Sequence, residues 1–359
     1  MQKLFIHIGT HKTGSSAIQA ALINTRGALR REGIVHIPTE EVPGILRFME
    51  LSALPDVTEI KSFLRMFFAR HQDARAFVLS WEGLSGSFSC GYRNAGIVAS
   101  ALREAIEGLE TKIIVYLRRQ DTFIESFYTQ SIHQGSGQTF EEFLAELDTQ
   151  VFDWGRLVDS YAAVFGRENV IVRAYDKSCL PDGESLIKDF SAIIGTTALK
   201  GVPQGRETNQ GYSRDAIEFA RLCNPYFSRE QLDIFRGILQ ISNVKQPFEN
   251  YGFFSREQRE RLMEGYRESC ARVAREYLGE PSGRLFTEVV EDADCRDEYG
   301  GLSPIAAYVV LGRAMVGQVQ YAESRLPYLV RLLGKIECRL RYLVSARIKD
   351  RFRPFFKRL

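Results

Sequence analysis

The chain has 359 residues, of which 45% are hydrophobic and 26% charged, so it can fill a substantial core and is not a disordered polymer. The formal net charge is +2 but unevenly spread: from Tyr321 to Leu359, eleven Lys or Arg stand against Glu323, Glu337 and Asp350, giving +8 there and −6 for the rest of the chain. The six cysteines show no C-x-x-C pair or regular spacing, which argues against a zinc ribbon or disulfide framework and for a reducing, cytoplasmic setting without a bound metal.

No charged-then-apolar leader precedes the first apolar run and no 18-residue apolar stretch occurs, so neither a signal peptide nor a spanning helix is expected. In chain order, Leu4 to Ile8 reads as a core strand and is followed by a glycine-bearing loop. Ser15 to Arg31 then carries Ala17, Ile18, Ala21, Leu22 and Leu29 near helical spacing, and Gly33 precedes a second apolar run, Ile34 to Ile37. That is a βαβ unit. Further strand-like runs at Ala76–Leu79, Ile113–Leu117 and Val170–Val172 alternate with helical segments, which predicts an α/β fold with a mostly parallel sheet ending near Tyr175.

Helices are predicted at Ser185–Gly195, Ser213–Leu222 and Ser255–Leu278, the last two as a helical layer or lid. Leu285–Asp297 is acidic, Pro304–Gln320 reads as an apolar helix and Leu326–Phe356 as a basic amphipathic one. The predicted division is an α/β domain with a helical lid over 1–285 and a helical, basic extension over 286–359.

The segment Gly9-Thr10-His11-Lys12-Thr13-Gly14-Ser15-Ser16 joins the first strand to the first helix. A helix N-terminus leaves backbone N–H groups unpaired, and the helix dipole favours negative charge there, so this is a place for an anion. Read blandly, Thr13, Ser15 and Ser16 are helix caps and Lys12 a solvated loop charge. Gly9 and Gly14 flank four residues as in a Walker A loop, yet the lysine lies inside the turn and Ser15 follows the second glycine, unlike an ATPase. A second cationic strand end occurs at Arg118. Ser126 is eight residues on, about two helical turns, so both can approach one point, and a guanidinium with a hydroxyl suits a phosphate.

Together these two motifs resemble those of the P-loop-fold sulfotransferase family. The string His7 to Gln19 is similar to the family's 5′-phosphosulfate loop, and Tyr116-Leu-Arg118 through Ser126-Phe-Tyr128 to its 3′-phosphate motif; Ile171–Tyr175 and Asp189–Gly195 extend the likeness over about the first 200 residues. The resemblance implies a P-loop-type sheet flanked by helices, and sulfuryl transfer from 3′-phosphoadenosine 5′-phosphosulfate (PAPS; product adenosine 3′,5′-bisphosphate) to an acceptor hydroxyl, on a carbohydrate in one reading. It further implies that Lys12, Thr13, Gly14, Ser15, Ser16, Arg118 and Ser126 bind the donor, with Lys12 on the leaving oxygen and no metal; His11, where the family commonly has another residue, is counted with them as a loop residue that could contact the sulfuryl group.

A hydroxyl acceptor needs a base. Glu82, after the run Phe77–Trp81, stands where some members of the family keep a catalytic His; Glu40 and Glu41 come after the second strand, where others keep a Glu, and Glu82 is preferred. His7 is expected to be packed within the strand, and Arg206 and Asn209 begin a polar segment that could close the donor site. For the tail, Leu329, Leu332, Leu333, Ile336, Leu340 and Leu343 form a stripe among Arg331, Lys335, Arg339 and Arg341, as in a terminal helix packed on the domain or one touching an anionic membrane. Nucleic acid is not an expected partner, because the body is acidic and no recognised module occurs. Two other functions fit the anion loop: a P-loop phosphotransferase using ATP and Mg²⁺, and an inactive nucleotide-binding or membrane-associated scaffold.

Overall fold

A computed structural model describes residues 2–176, 186–200, 211–244, 252–286 and 299–325. These fall into two compact units, one drawn from 1–131, 138–208 and 250–299, the other from 132–137, 209–249 and 300 onward. The first is built on a five-stranded, wholly parallel sheet: β1 (Lys3–His7), β2 (Ile34–His36), β3 (Ala76–Ser80), β4 (Glu110–Leu117) and β5 (Val170–Ala174), in the spatial order β2-β3-β1-β4-β5. The predicted α/β class is observed, and strands 4 and 5 run a few residues longer than their apolar cores.

Helices cover both faces of this sheet, which is why its central strands read as near-continuous apolar runs rather than alternating ones. On one face α1 (Ser15–Asn24), α2 (Arg26–Arg31) and α8 (Leu186–Ile194) bury Ile18, Leu22, Leu29, Ile187, Phe190 and Ile194 against Phe5, Val78, Ile114 and Tyr116. On the other face α3 (Thr58–Arg70) packs on α4 (Ala95–Ala105), which packs on α7 (Trp154–Phe165); α7 in turn meets β4 and β5. The chain leaves β1 toward β2 and β3 on one side, then crosses to β4 and β5 on the other. The topological switch point therefore lies between β1 and β4, at whose carboxyl ends open α/β sheets bind ligands.

Helix α5 (Gln120–His133) starts directly after β4, the short α6 (Phe140–Glu146) opens on a Thr139–Glu142 capping box, and α11 (Arg256–Tyr277) lies against α7. A buried ionic cluster links α5 to α11. Arg259 of α11 bonds Asp121 and, at 2.8 Å, Glu125, two α5 residues one turn apart. Arg119 adds a second cation at 2.6 Å from Asp121, and Glu125 also accepts the N–H groups of Phe253 and Phe254. Desolvation holds the Glu125 carboxyl above the usual carboxylate range, against the pull of Arg259. The cluster fixes one face of α5 and so determines where the opposite face points.

In the second unit, α9 (Arg214–Cys223), α10 (Arg229–Ser242) and a helix over 304–325 pack together; Asn243 Nδ2 donates to the Val310 carbonyl at 3.2 Å, and Tyr212 pairs with Val244 in an antiparallel bridge. The two helices predicted as one layer are thus divided, α11 belonging to the sheet unit and α9 to the second. Likewise 209–249 groups with the residues from 300 on. The basic helix predicted at 326–356, most of the acidic stretch 285–297, and Arg206 and Asn209 lie outside the described residues. No helix among the described residues is long and apolar enough to cross a membrane.

Candidate active site

The loop after β1 is held from beneath. Ile8 N–H bonds the Ile114 carbonyl at 3.0 Å, Thr10 Oγ1 donates to the Tyr116 carbonyl at 3.1 Å, and Thr13 Oγ1 donates to the Thr10 carbonyl at 2.7 Å. Both threonines are buried, so their hydroxyls are structural props rather than exposed ligands. Two glycines are required here. Gly9, at φ 57°, leaves no room for a Cβ, which would come 2.6 Å from Ser15 Oγ and 3.3 Å from Glu82 Cβ; Gly14, at φ 78°, caps α1 where a Cβ would come 2.5 Å from Leu186 Cδ2.

The loop opens α1 with no side-chain cap. Among the described residues, the N–H groups of Gly14, Ser15 and Ser16 donate to no protein acceptor, and Ser15 Oγ is buried without a hydrogen-bond partner. The bland capping role for Ser15 and Ser16 is therefore absent. Unpaired N–H groups and an orphaned buried hydroxyl at a helix N-terminus form an anion cradle, so the residues present fit a bound phosphate or sulfate group.

Two cations stand at this loop. Lys12 Nζ donates to Gln130 Oε1 of α5 at 3.0 Å, and Arg118, at the end of β4, donates from its guanidinium to the Lys12 carbonyl at 3.2 Å and to Thr122 Oγ1 at 3.1 Å. Trp154 Nε1 donates to the Arg118 carbonyl at 2.7 Å and fixes that strand end. Thr122, Ser126 and Gln130 are spaced by four residues along α5 and so share one face. Its first member bonds Arg118 and its last Lys12, which puts half-buried Ser126 between them, about 120° round the helix from the face clamped by Arg259.

Glu82 comes just after β3, the other neighbour of β1. Its Oε2 accepts from Gln19 Nε2 of α1 at 2.7 Å, while Oε1 has no partner among the described residues. His11 lies beside it: the backbone N–H of His11 donates to the Tyr92 hydroxyl at 3.2 Å, and its Nδ1 is 3.0 Å from the same oxygen. Burial lowers the His11 pKa and Lys12 lowers it further, against an opposing pull from Glu82, so the ring is neutral near pH 7. Burial also raises the Tyr92 phenol far above its ordinary value. Lys12 (φ 65°) and Tyr92 (φ 60°) are the two non-glycine residues with positive φ among those described, and both sit here. Such backbone strain, about 1–3 kcal/mol each, persists where surrounding structure over-determines it and clusters at functional sites.

Of the residues singled out from sequence, His11, Lys12, Thr13, Gly14, Ser15, Ser16, Glu82, Arg118 and Ser126 gather around the ends of β1, β3 and β4. Glu40 and Glu41 do not join them. They occupy an exposed 3₁₀ turn after the edge strand β2, two strands from β1, with Glu40 3.9 Å from Arg26. His7 is packed, its Nδ1 2.8 Å from Ser80 Oγ, and burial lowers its pKa to about 3. Tyr92, Gln130, Gln19 and Thr122 are not legible in the sequence as site residues. Thr122 and Gln130 do share the helical spacing of Ser126, which is a usable signal; Tyr92 reaches the loop from a turn 81 residues on and has no local signature.

No protein-family model matches the chain. An uncharacterized protein of Archaeoglobus fulgidus is 26% identical over 180 residues, 50% of this chain and 49% of that protein, so the chain spans about half the length of the curated relative it matches. A solved sulfotransferase from Alicyclobacillus acidocaldarius aligns with 65% of this chain and 99% of its own length at 18% identity and a TM-score of 0.36, too slight a likeness to carry its site residues across.

Proposed function

We propose that this chain is a sulfotransferase that moves a sulfuryl group from PAPS to an acceptor hydroxyl, the acceptor class to test first being a carbohydrate. The observation that supports this reading best is the convergence of unpaired Gly14, Ser15 and Ser16 N–H groups, orphaned Ser15 Oγ, Lys12 and Arg118 at the switch point of a parallel sheet. One anion fits the loop; Arg118 with Ser126 offers a place for a second, as a 3′,5′-bisphosphate requires.

The loop N–H groups, Ser15 and Ser16 hold the 5′-phosphosulfate end, and Arg118 and Ser126 the 3′-phosphate. PAPS supplies an activated sulfuryl group whose bond to the phosphate oxygen breaks as a bond to the acceptor oxygen forms. Lys12 shifts its charge from Gln130 to the oxygen that becomes negative, an interaction stronger in the transition state than before it. Glu82 takes the acceptor proton on Oε1, oriented by the bond that Gln19 makes to Oε2. Neutral His11, tied to Tyr92, keeps the loop in its strained turn and leaves the proton to the carboxylate.

Transfer of radiolabelled sulfur from PAPS to a panel of carbohydrate and other hydroxyl acceptors tests the reading. Turnover that is lost in Lys12→Ala supports it. No transfer to any acceptor by protein that binds the bisphosphate product would make the chain a nucleotide-binding protein instead.

A further inference from the structure

The 304–325 helix has two apolar faces, and only one is used. Val310 and Ala314 are buried, Gly317 packs close to Ser242, and Tyr321 comes close to Gly237, so this side docks on α10. On the other side Ile305, Tyr308, Met315, Val316 and Val319 are between 62% and 77% exposed, and Val309 is 45% exposed. At 3.6 residues per turn these six positions fall within about a third of the helix circumference, opposite the docked face. Between Ser303 and Ala322 the one charged residue is Arg313. A contiguous apolar patch of this kind on a protein surface marks an interaction site rather than scattered exposure.

The next segment of the chain indicates the partner. Residues 326–359 carry ten Lys or Arg against Glu337 and Asp350, a net +8 in 34 residues. An apolar helical face supplies insertion, and a dense basic stretch supplies attraction to anionic headgroups at about 1 kcal/mol per cation near the surface. Stable peripheral attachment takes two such signals together, and here they are adjacent in the chain. If two copies paired through this same face, the +8 segments that follow it in sequence would be brought toward one another, whereas an anionic bilayer complements them, so the local charge favours a lipid surface over pairing.

We infer that the exposed face of the 304–325 helix docks the protein peripherally on an anionic lipid bilayer. The helix lies in the interface plane, its Ile305–Val319 stripe among the acyl chains and Arg313 toward the headgroups. This attachment is independent of the nucleotide site, and its failure would leave the proposed transfer reaction untouched.

Co-sedimentation of the full chain with vesicles tests it, comparing phosphatidylcholine alone with phosphatidylcholine containing about a third phosphatidylglycerol. The expected result is binding to the anionic vesicles that weakens steeply between low and high salt, with little binding to the neutral ones. A Met315→Ser/Val319→Ser double variant should bind the anionic vesicles at least about ten-fold more weakly, and because both side chains are exposed its thermal unfolding should match the parent. Equal binding to both vesicle types, no binding to either, or binding unchanged in the double variant would each overturn the inference. So would a concentration-dependent dimer, seen by sedimentation velocity without lipid and abolished by the double variant, which would give the face to a second copy.

Discussion

Arg118→Ala separates two jobs that one guanidinium performs. In the protein alone it braces the Lys12 carbonyl at 3.2 Å and Thr122 at 3.1 Å, two hydrogen bonds worth about 1 kcal/mol each net. Losing them costs about 2 kcal/mol, within the roughly 5–15 kcal/mol that a domain has, so the variant stays folded. A charge-assisted bond to a 3′-phosphate contributes about 1.5–3 kcal/mol, which converts to a loss of about 10- to 150-fold in affinity. Calorimetric titration should find adenosine 3′,5′-bisphosphate weakened by that factor while adenosine 5′-monophosphate changes less than about three-fold. Equal weakening of both nucleotides would refute the assignment, because Arg118 would then act only through the shape of the loop.

Glu82→Gln should lower turnover by about 10²- to 10⁴-fold with the Kd for the bisphosphate within a factor of about two; unchanged turnover would show that Glu82 is not the base. Arg259→Ala leaves buried Glu125 without its cation and Asp121 with Arg119 alone, and should cost about 3–5 kcal/mol in urea unfolding, a loss below about 1 kcal/mol meaning that the cluster does not hold α5. His7 is neutral in the folded protein, its pKa lowered to about 3 by burial from an unfolded value near 6.5, so only the unfolded chain takes up its proton as pH falls through 6.5. Stability should therefore decline on acidification from about pH 6.5 toward 3 with a His7 contribution of about 1.4 kcal/mol per pH unit, and His7→Gln should remove that part of the slope. Identical slopes for parent and variant would show that His7 is solvated.

The legible parts of this molecule are those whose physics is local. A buried strand, a turn with Gly9 and Gly14, and an apolar stripe at helical spacing identify the βαβ start, whereas helical geometry only allows Ser126 to approach Arg118 and the family resemblance is what singles that pair out. The α10 helix has a readable start in its Ser228-x-x-Gln231 capping box, where each side chain bonds the other residue's N–H. Leu232, Phe235, Ile238 and Leu239 follow that box at helical spacing, so this helix carries a local periodic signature as well.

The illegible parts depend on distant partners. Tyr92 meets His11 only because β3 lies next to β1, and no local pattern requires positive φ at Tyr92 or Lys12, since neither is glycine. The partition of the chain rests on pairs such as Asn243 with Val310, 67 residues apart. Glu40 and Glu41 look equivalent to Glu82 as carboxylates at strand ends. The sheet order separates them, because β2 is an edge strand and β3 adjoins the loop-bearing β1.

If the cradle between β1 and β4 is built for a nucleotide with phosphates at both the 3′ and 5′ positions, its ligand preference is the most direct test. Isothermal titration in the presence of a chelator measures it, with adenosine 3′,5′-bisphosphate and ATP as the two ligands. The bisphosphate should bind without magnesium, and ATP should bind far more weakly. Equal affinity for both, or binding that appears only when magnesium is restored, would contradict a site made for PAPS.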